Sequence, residues 1–182
     1  MPDIILETDR LILRTEAPGD QAVWAQHMNT LAVMEYLGGP RDARKIEESF
    51  AKMEAQRAQY GYGFMLMQHK NTGDLIGNCG LKLVDNILAP VHIQGQFEIG
   101  WSLRQDYWRQ GYAFEAASAV TGLAFTRFGA ARIFALTSDR NIPSWKMMEK
   151  LGMQRRADLE FDDPDYPPQD NPTIVYRMEK PL

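Results

Sequence analysis

The residue pattern predicts an α+β fold, a mixed sheet with helices on both faces. Three observations carry this expectation. Two strand-like runs at 62–68 and 75–81 are separated by the turn Asn71-Thr72-Gly73-Asp74, which suggests a hairpin. A charged amphipathic helix over about 43–59 precedes them, with Ile46, Phe50 and Met53 on one face at helical spacing. Beyond the hairpin the order is strand, helix, strand, helix and then further strands.

Each element has its own signal. Residues 8–14 place β-branched and aliphatic residues between charges and read as a first strand. Asp20 suits the cap of a helix over about 21–29, and Leu37-Gly38-Gly39-Pro40 is a break. Phe97–Leu103 is a strand with Ile99, Trp101 and Leu103 on its apolar face. The helix after Gly111 aligns Ala113, Ala117, Val120, Ala124 and Phe128 and stops near Gly129. Residues 132–137 form a strand, and a short helix over 143–151 follows, with Pro143 in its first turn and Gly152 at its end. Residues 153–161 and 173–178 read as two last strands around a Pro- and Asp-rich loop.

Length and composition bound the function. The 182 residues suffice for one domain with a sizeable core. A net charge of −4 argues against a nucleic-acid binder, which carries a basic face. No stretch approaches the roughly 18 apolar residues of a membrane span. The start has acids where a secretory leader has bases, and a single cysteine, Cys79, fits a reducing compartment, so the expected location is cytoplasmic. His27, His69 and His92 show no metal-ligand spacing with one another or with Cys79, so no metal site is expected.

The richest stretch is Trp108-Arg109-Gln110-Gly111-Tyr112-Ala113-Phe114-Glu115-Ala116, between a strand and a helix. A Gly-containing turn at a helix start directs several backbone N–H groups at one point, and the helix dipole adds positive potential there. Such a turn suits a phosphate or diphosphate. It also suits a plain tight turn.

Together these residues resemble the GCN5-related N-acetyltransferases (GNAT), and more closely the RimJ/RimL-like branch of ribosomal-protein N-terminal acetyltransferases. The resemblance rests on Glu98-Ile99-Gly100-Trp101, on Tyr107 to Ala113, on Asn141 with Ser144, on Glu149-Lys150-Leu151-Gly152-Met153, and on the opening Glu7-Thr8-Asp9-Arg10-Leu11. It spans nearly the whole chain as one domain. The family pattern is Gln or Arg, two residues, Gly, one residue, Gly or Ala. Gly111 and Ala113 match it, and Trp108 replaces the leading polar residue. The resemblance implies a mostly antiparallel, twisted sheet of six to seven strands, splayed in the middle and flanked by about four helices.

It also implies the chemistry: direct acetyl transfer from acetyl-CoA to a primary amine, either a protein N-terminus or a small amine. The backbone of Arg109, Gln110, Gly111, Tyr112 and Ala113 would cradle the diphosphate. Trp101, Ser102 and Leu103 would line the pantetheine arm, and Asn141 would hold a pantetheine amide. The attacking amine must be neutral. About a tenth of an α-amino group is neutral at pH 7, against one part in a few thousand for a lysine. Glu98 is the candidate base, or else an ordinary polar residue on a half-solvated strand. No Tyr occurs between Asp139 and Gly152, where many members carry the acid that protonates the thiolate. Ser144 is the candidate in its place, or else a residue satisfying the helix start. The missing Tyr also keeps open a non-catalytic acyl-CoA-binding module. The last strand is a candidate edge for a homodimer. The acidic loop at 162–166 either walls the acceptor site or is simply solvated, and Trp24, Tyr36 and Phe64 either shape that site or belong to the core.

Overall fold

In the computed structural model, which describes residues 1–181, the chain opens as a hairpin rather than one strand. β1 (Ile4–Glu7) pairs antiparallel with β2 (Leu11–Arg14). The reversal is made by Thr8, whose hydroxyl accepts the Leu11 N–H at 3.0 Å. The chain divides into two compact units, Met1–Gly80 with Trp101–Val120 and Leu81–Gly100 with Thr121–Leu182.

In the first unit, α1 (Asp20–His27) starts after Gly19, not after Asp20. The Asp20 carboxylate is needed elsewhere. It takes Arg14 at 2.6 and 2.9 Å and the Ala17 N–H at 2.6 Å. Both charged residues are buried, and a buried charge without a partner is strongly destabilising. A one-turn helix absent from the sequence expectation, α2 (Leu31–Met34), is capped by Thr30, which accepts the Val33 N–H at 3.2 Å. α3 (Ala43–Tyr60) is capped by Asp42 and ends at Gly61 in the left-handed region. β3 (Phe64–His69) and β4 (Leu75–Leu83) form the expected antiparallel hairpin, and β2 pairs with β3. Trp24, Met28, Met34, Ile46, Leu66 and Leu75 form one core, joined by Phe50 and Met53. Trp24 is thereby a core residue, its ring edge-on to Phe50.

β5 (Phe97–Leu103) has its expected bounds. Its end presses on β4: the backbone N–H of Arg104, just past β5, donates to the Ile76 carbonyl at 2.7 Å, and a Cβ at Gly77 would overlap the Ser102 carbonyl oxygen. Cys79 is fully buried on β4, and burial pushes its thiol far above the ordinary range. α4 (Tyr112–Thr126) follows, burying Ala116, Ala117 and Val120.

In the second unit, β5 runs parallel to β6 (Arg132–Ser138) through Glu98 and Phe134. α5 (Ile142–Lys150) follows with Pro143 in its first turn. Residues 153–161 do not make one strand. Only β7 (Gln154–Arg155) is extended, a 3₁₀ turn occupies Ala157–Leu159, and Phe161 rejoins as a single bridge to Thr173. The reason is packing. Leu159 turns into a core with Val84, Ile93, Phe134 and Val175, while Arg156 pairs with Asp158 on the outside of the bend. β8 (Thr173–Glu179) pairs with β6 along its length and with β7 at Tyr176 and Arg177. The last strand is therefore flanked on both sides and is not the open edge expected for a dimer.

The α+β class holds, with mostly antiparallel pairing. Among the described residues there are eight strands and five α-helices. The excess over the expected six to seven strands and four helices lies in the β1–β2 hairpin, the short β7 and the single-turn α2. No described helix is long and apolar enough to cross a membrane.

Candidate active site

In the first unit, β5 leads to a 3₁₀ turn, Gln105–Tyr107, and then to the Gly-containing turn before α4. Two residues there adopt the left-handed conformation, Arg109 (φ 60°) and Gly111 (φ 85°). For Arg109 this is uncommon and strained, whereas glycine adopts it freely. Left-handed residues alternating with others turn successive N–H groups to one side, which makes an anion-binding concavity. The bond from the Glu115 N–H to the Gly111 carbonyl at 3.0 Å opens the helix, and Gly111 stands at its start.

The side chains of this stretch are occupied with holding it. The Trp108 indole N–H donates to the Leu103 carbonyl at 2.6 Å, tying the turn back to the end of β5. The Gln110 amide donates to the Asp106 carbonyl at 2.8 Å. Tyr107 donates to Asp74 at 2.6 Å, and the buried Tyr112 hydroxyl meets His69 Nε2 at 3.1 Å. On the other side of the ring, His69 Nδ1 lies 3.1 Å from the Thr72 hydroxyl and 3.3 Å from the Thr72 N–H. Ser102 donates to Asn78 on β4, and Trp101 and Ser102 are half-buried.

Three residues outside the sequence expectation complete the turn. Glu115 accepts from the Thr8 hydroxyl at 2.5 Å, the Arg10 N–H at 2.9 Å and Arg10 Nε at 2.6 Å. Burial works against the Glu115 charge, but these bonds outweigh it and hold the carboxyl below its ordinary value. Arg10 lies over the Tyr112 ring, 4.2 Å from its centroid. The one signal in the sequence was an acid four residues after Gly111, in the first turn of a helix.

In the second unit, Glu98 lies on β5, most of whose residues are half-buried. Its side chain is 12% exposed and pairs with Lys82 at 3.2 Å, and Lys82 reaches Asp85 at 3.3 Å. Burial pushes the Glu98 carboxyl above its ordinary value, and Lys82 only partly offsets this. Burial alone would lower the Lys82 value, but Glu98 and Asp85 outweigh it, so the ammonium is held charged. Lys82 was missed because nothing in the sequence aligns it with a residue sixteen positions on.

Asn141 caps α5 by its backbone: its carbonyl accepts the N–H groups of Ser144 at 3.0 Å and Trp145 at 3.2 Å. Its side-chain amide donates to Thr137 at 3.0 Å, which leaves the amide oxygen for another donor. Ser144 is half-buried in the first turn of α5. In the acidic loop Asp162 and Asp165 are exposed, whereas Asp163 is buried and takes Asn86 at 2.7 Å, and the Asp163 N–H donates to Asn171. Among the described residues no cluster of His, Cys, Asp or Glu is built to hold a metal ion.

The chain matches the acetyltransferase (GNAT) domain family over residues 10–154 and belongs to it. It is thus an N-acetyltransferase by family. It is 31% identical over 183 aligned positions to the uncharacterized N-acetyltransferase YoaA of Bacillus subtilis (strain 168), with 97% of each chain covered. The crystal structure of the acetyltransferase from Agrobacterium tumefaciens str. C58 superposes with a TM-score of 0.76 at 28% identity, covering 96% of this chain and 94% of that one. RimL, a ribosomal L7/L12 α-N-protein acetyltransferase, shares the fold with a TM-score of 0.79 at 14% identity, over 99% of this chain and 96% of its own.

Proposed function

We propose that the protein transfers acetyl from acetyl-CoA directly to a primary amine, a protein N-terminal α-amino group in the RimJ/RimL manner or a small amine. The observation that carries this reading is the turn before α4, with left-handed Arg109 and Gly111 at a helix start. Backbone N–H groups directed out of a helix start, together with the helix dipole, suit a diphosphate.

In this reading the amine nitrogen attacks the thioester carbonyl carbon. Glu98 takes the proton that nitrogen loses, directly or through a water. The C–S bond then breaks, and the thiolate leaves with a proton supplied from the Ser144 side. Trp101, Ser102 and Leu103 run along the pantetheine arm, and the Asn141 amide holds it. Support for Glu98 is its burial, which raises its basicity toward the neutral range that a general base needs. Support for an α-amino acceptor is chemical: one moderately basic carboxylate can neutralise such an amine far more readily than a lysine.

The test has two parts. Acetyl-CoA should raise the melting temperature, and Gly111→Glu should abolish the rise by blocking the turn and adding repulsion. CoA release should then be measured over a panel that includes peptides with N-terminal Ala and Ser, polyamines and other small amines. No thermal shift with acetyl-CoA overturns the donor assignment. A shift without turnover on any amine favours the acyl-CoA-binding module instead.

A further inference from the structure

Arg10 lies about a hundred positions before the turn in sequence, yet it makes the contacts that set the turn's geometry. Its NH1 donates to the Gln110 carbonyl at 3.0 Å, and its Nε donates to Glu115 at 2.6 Å. Its guanidinium rests on the Tyr112 ring at 4.2 Å, and Tyr112 is held from below by His69. Its own backbone N–H is bound by the same Glu115 carboxylate at 2.9 Å. A Cβ on Gly111 would come within 3.3 Å of Arg10 NH2. The guanidinium is thus fixed by a carboxylate, a carbonyl and an aromatic face at once.

One peptide plane transmits this. In a trans peptide the C=O of one residue and the N–H of the next point in opposite directions. A guanidinium that draws the Gln110 carbonyl toward itself therefore turns the Gly111 N–H to the other side. That N–H belongs to the helix-start group that has no intrahelical acceptor. Without the draw, Gly111 has a wide choice of conformation, since glycine has no Cβ to restrict it.

We propose that Arg10 is a positioning residue for the donor substrate: it locks the Gln110–Gly111 peptide so that the Gly111 N–H faces the diphosphate of acetyl-CoA. The proposal rests on the reading of this turn as the diphosphate cradle. It requires arginine in particular. Only the planar fork can serve the Glu115 carboxylate and the Gln110 carbonyl together while stacking on Tyr112, and a lysine ammonium is a single point of charge.

The experiment compares two ligands on three proteins. Pantetheine lacks the 3′-phosphoadenosine diphosphate of CoA, so the ratio of their Kd values reads that half of the ligand, the part bound at the turn included. Binding is measured by calorimetry, with pantetheine by displacement where it is weak, on the wild type, Arg10→Lys and Glu115→Gln. Circular dichroism checks that each is folded. A charge-assisted bond from an N–H to phosphate contributes about 1.5–3 kcal/mol, so the variants should lose roughly 10- to 100-fold in CoA affinity. Pantetheine affinity should stay within about twofold. Equal losses for both ligands, or no loss for either, overturn the role of Arg10 while leaving the cradle in place. A wild type that binds CoA no better than pantetheine overturns the cradle itself, and Arg10 with it.

Discussion

Glu98 and Lys82 form a pair whose balance is directly measurable. In its proposed role as base, Glu98 with a raised carboxyl value is unmasked only above the ordinary glutamate range, so kcat/KM should fall on the acid side with a midpoint above about 4.3. Lys82 favours the carboxylate, so Lys82→Met should move that midpoint further up. A pH–rate profile of the two proteins checks both statements, and a midpoint unchanged in the variant would remove Lys82 from the account. Glu98→Gln keeps the shape but cannot take a proton, and kcat should fall by about 10²–10⁴. Turnover equal to wild type would show that the proton goes elsewhere. Ser144→Ala asks the same of the leaving thiolate.

Elements are held by contacts that reach across the sequence, and two can be tested by stability. At Gly77, β4 runs so close to β5 that an added methyl meets the Ser102 carbonyl, the Met67 side chain and the Leu103 backbone. Gly77→Ala should cost about 1–3 kcal/mol in urea unfolding, as overpacking does. The start of α4 depends on Glu115, whose carboxyl value is lowered in the folded state. Its stabilising contribution is present above the unfolded value near 4.3 and is lost as pH falls through the folded one. Between about pH 5 and 3 the wild type should therefore lose more stability than Glu115→Gln, and parallel curves would contradict this. The sequence showed what was local at this scale. Phe97–Leu103, the helix after Gly111 and the hairpin at β3–β4 follow from period-two and helical spacing and from turn residues. It did not show that residues 153–161 break, because that depends on Leu159 finding a core made by Phe134 and Val175. Nor did it show Arg10 against Glu115 or Lys82 against Glu98, since no periodicity links positions brought together only by folding.

For the whole molecule, ligand binding and folding are one linked equilibrium. At a hundred times its Kd, acetyl-CoA should add about 2.7 kcal/mol to stability. For a chain of this size that is a rise of roughly 5–10 °C in Tm. The acceptor half is less legible than the donor half for a physical reason. In the proposed reading the donor is recognised by backbone geometry that a few glycine and helix-start signals announce. An amine is recognised by walls and charges drawn from distant parts of the chain, and a net charge of −4 favours cations only in general terms. The buried Cys79 gives this chain a practical property. With its thiol enclosed and its ionisation suppressed, the folded protein contributes no reactive sulfur of its own. A colorimetric thiol reagent added to a working mixture therefore counts only the CoA set free. The same reagent added during denaturation counts unfolded molecules, one sulfur for each chain.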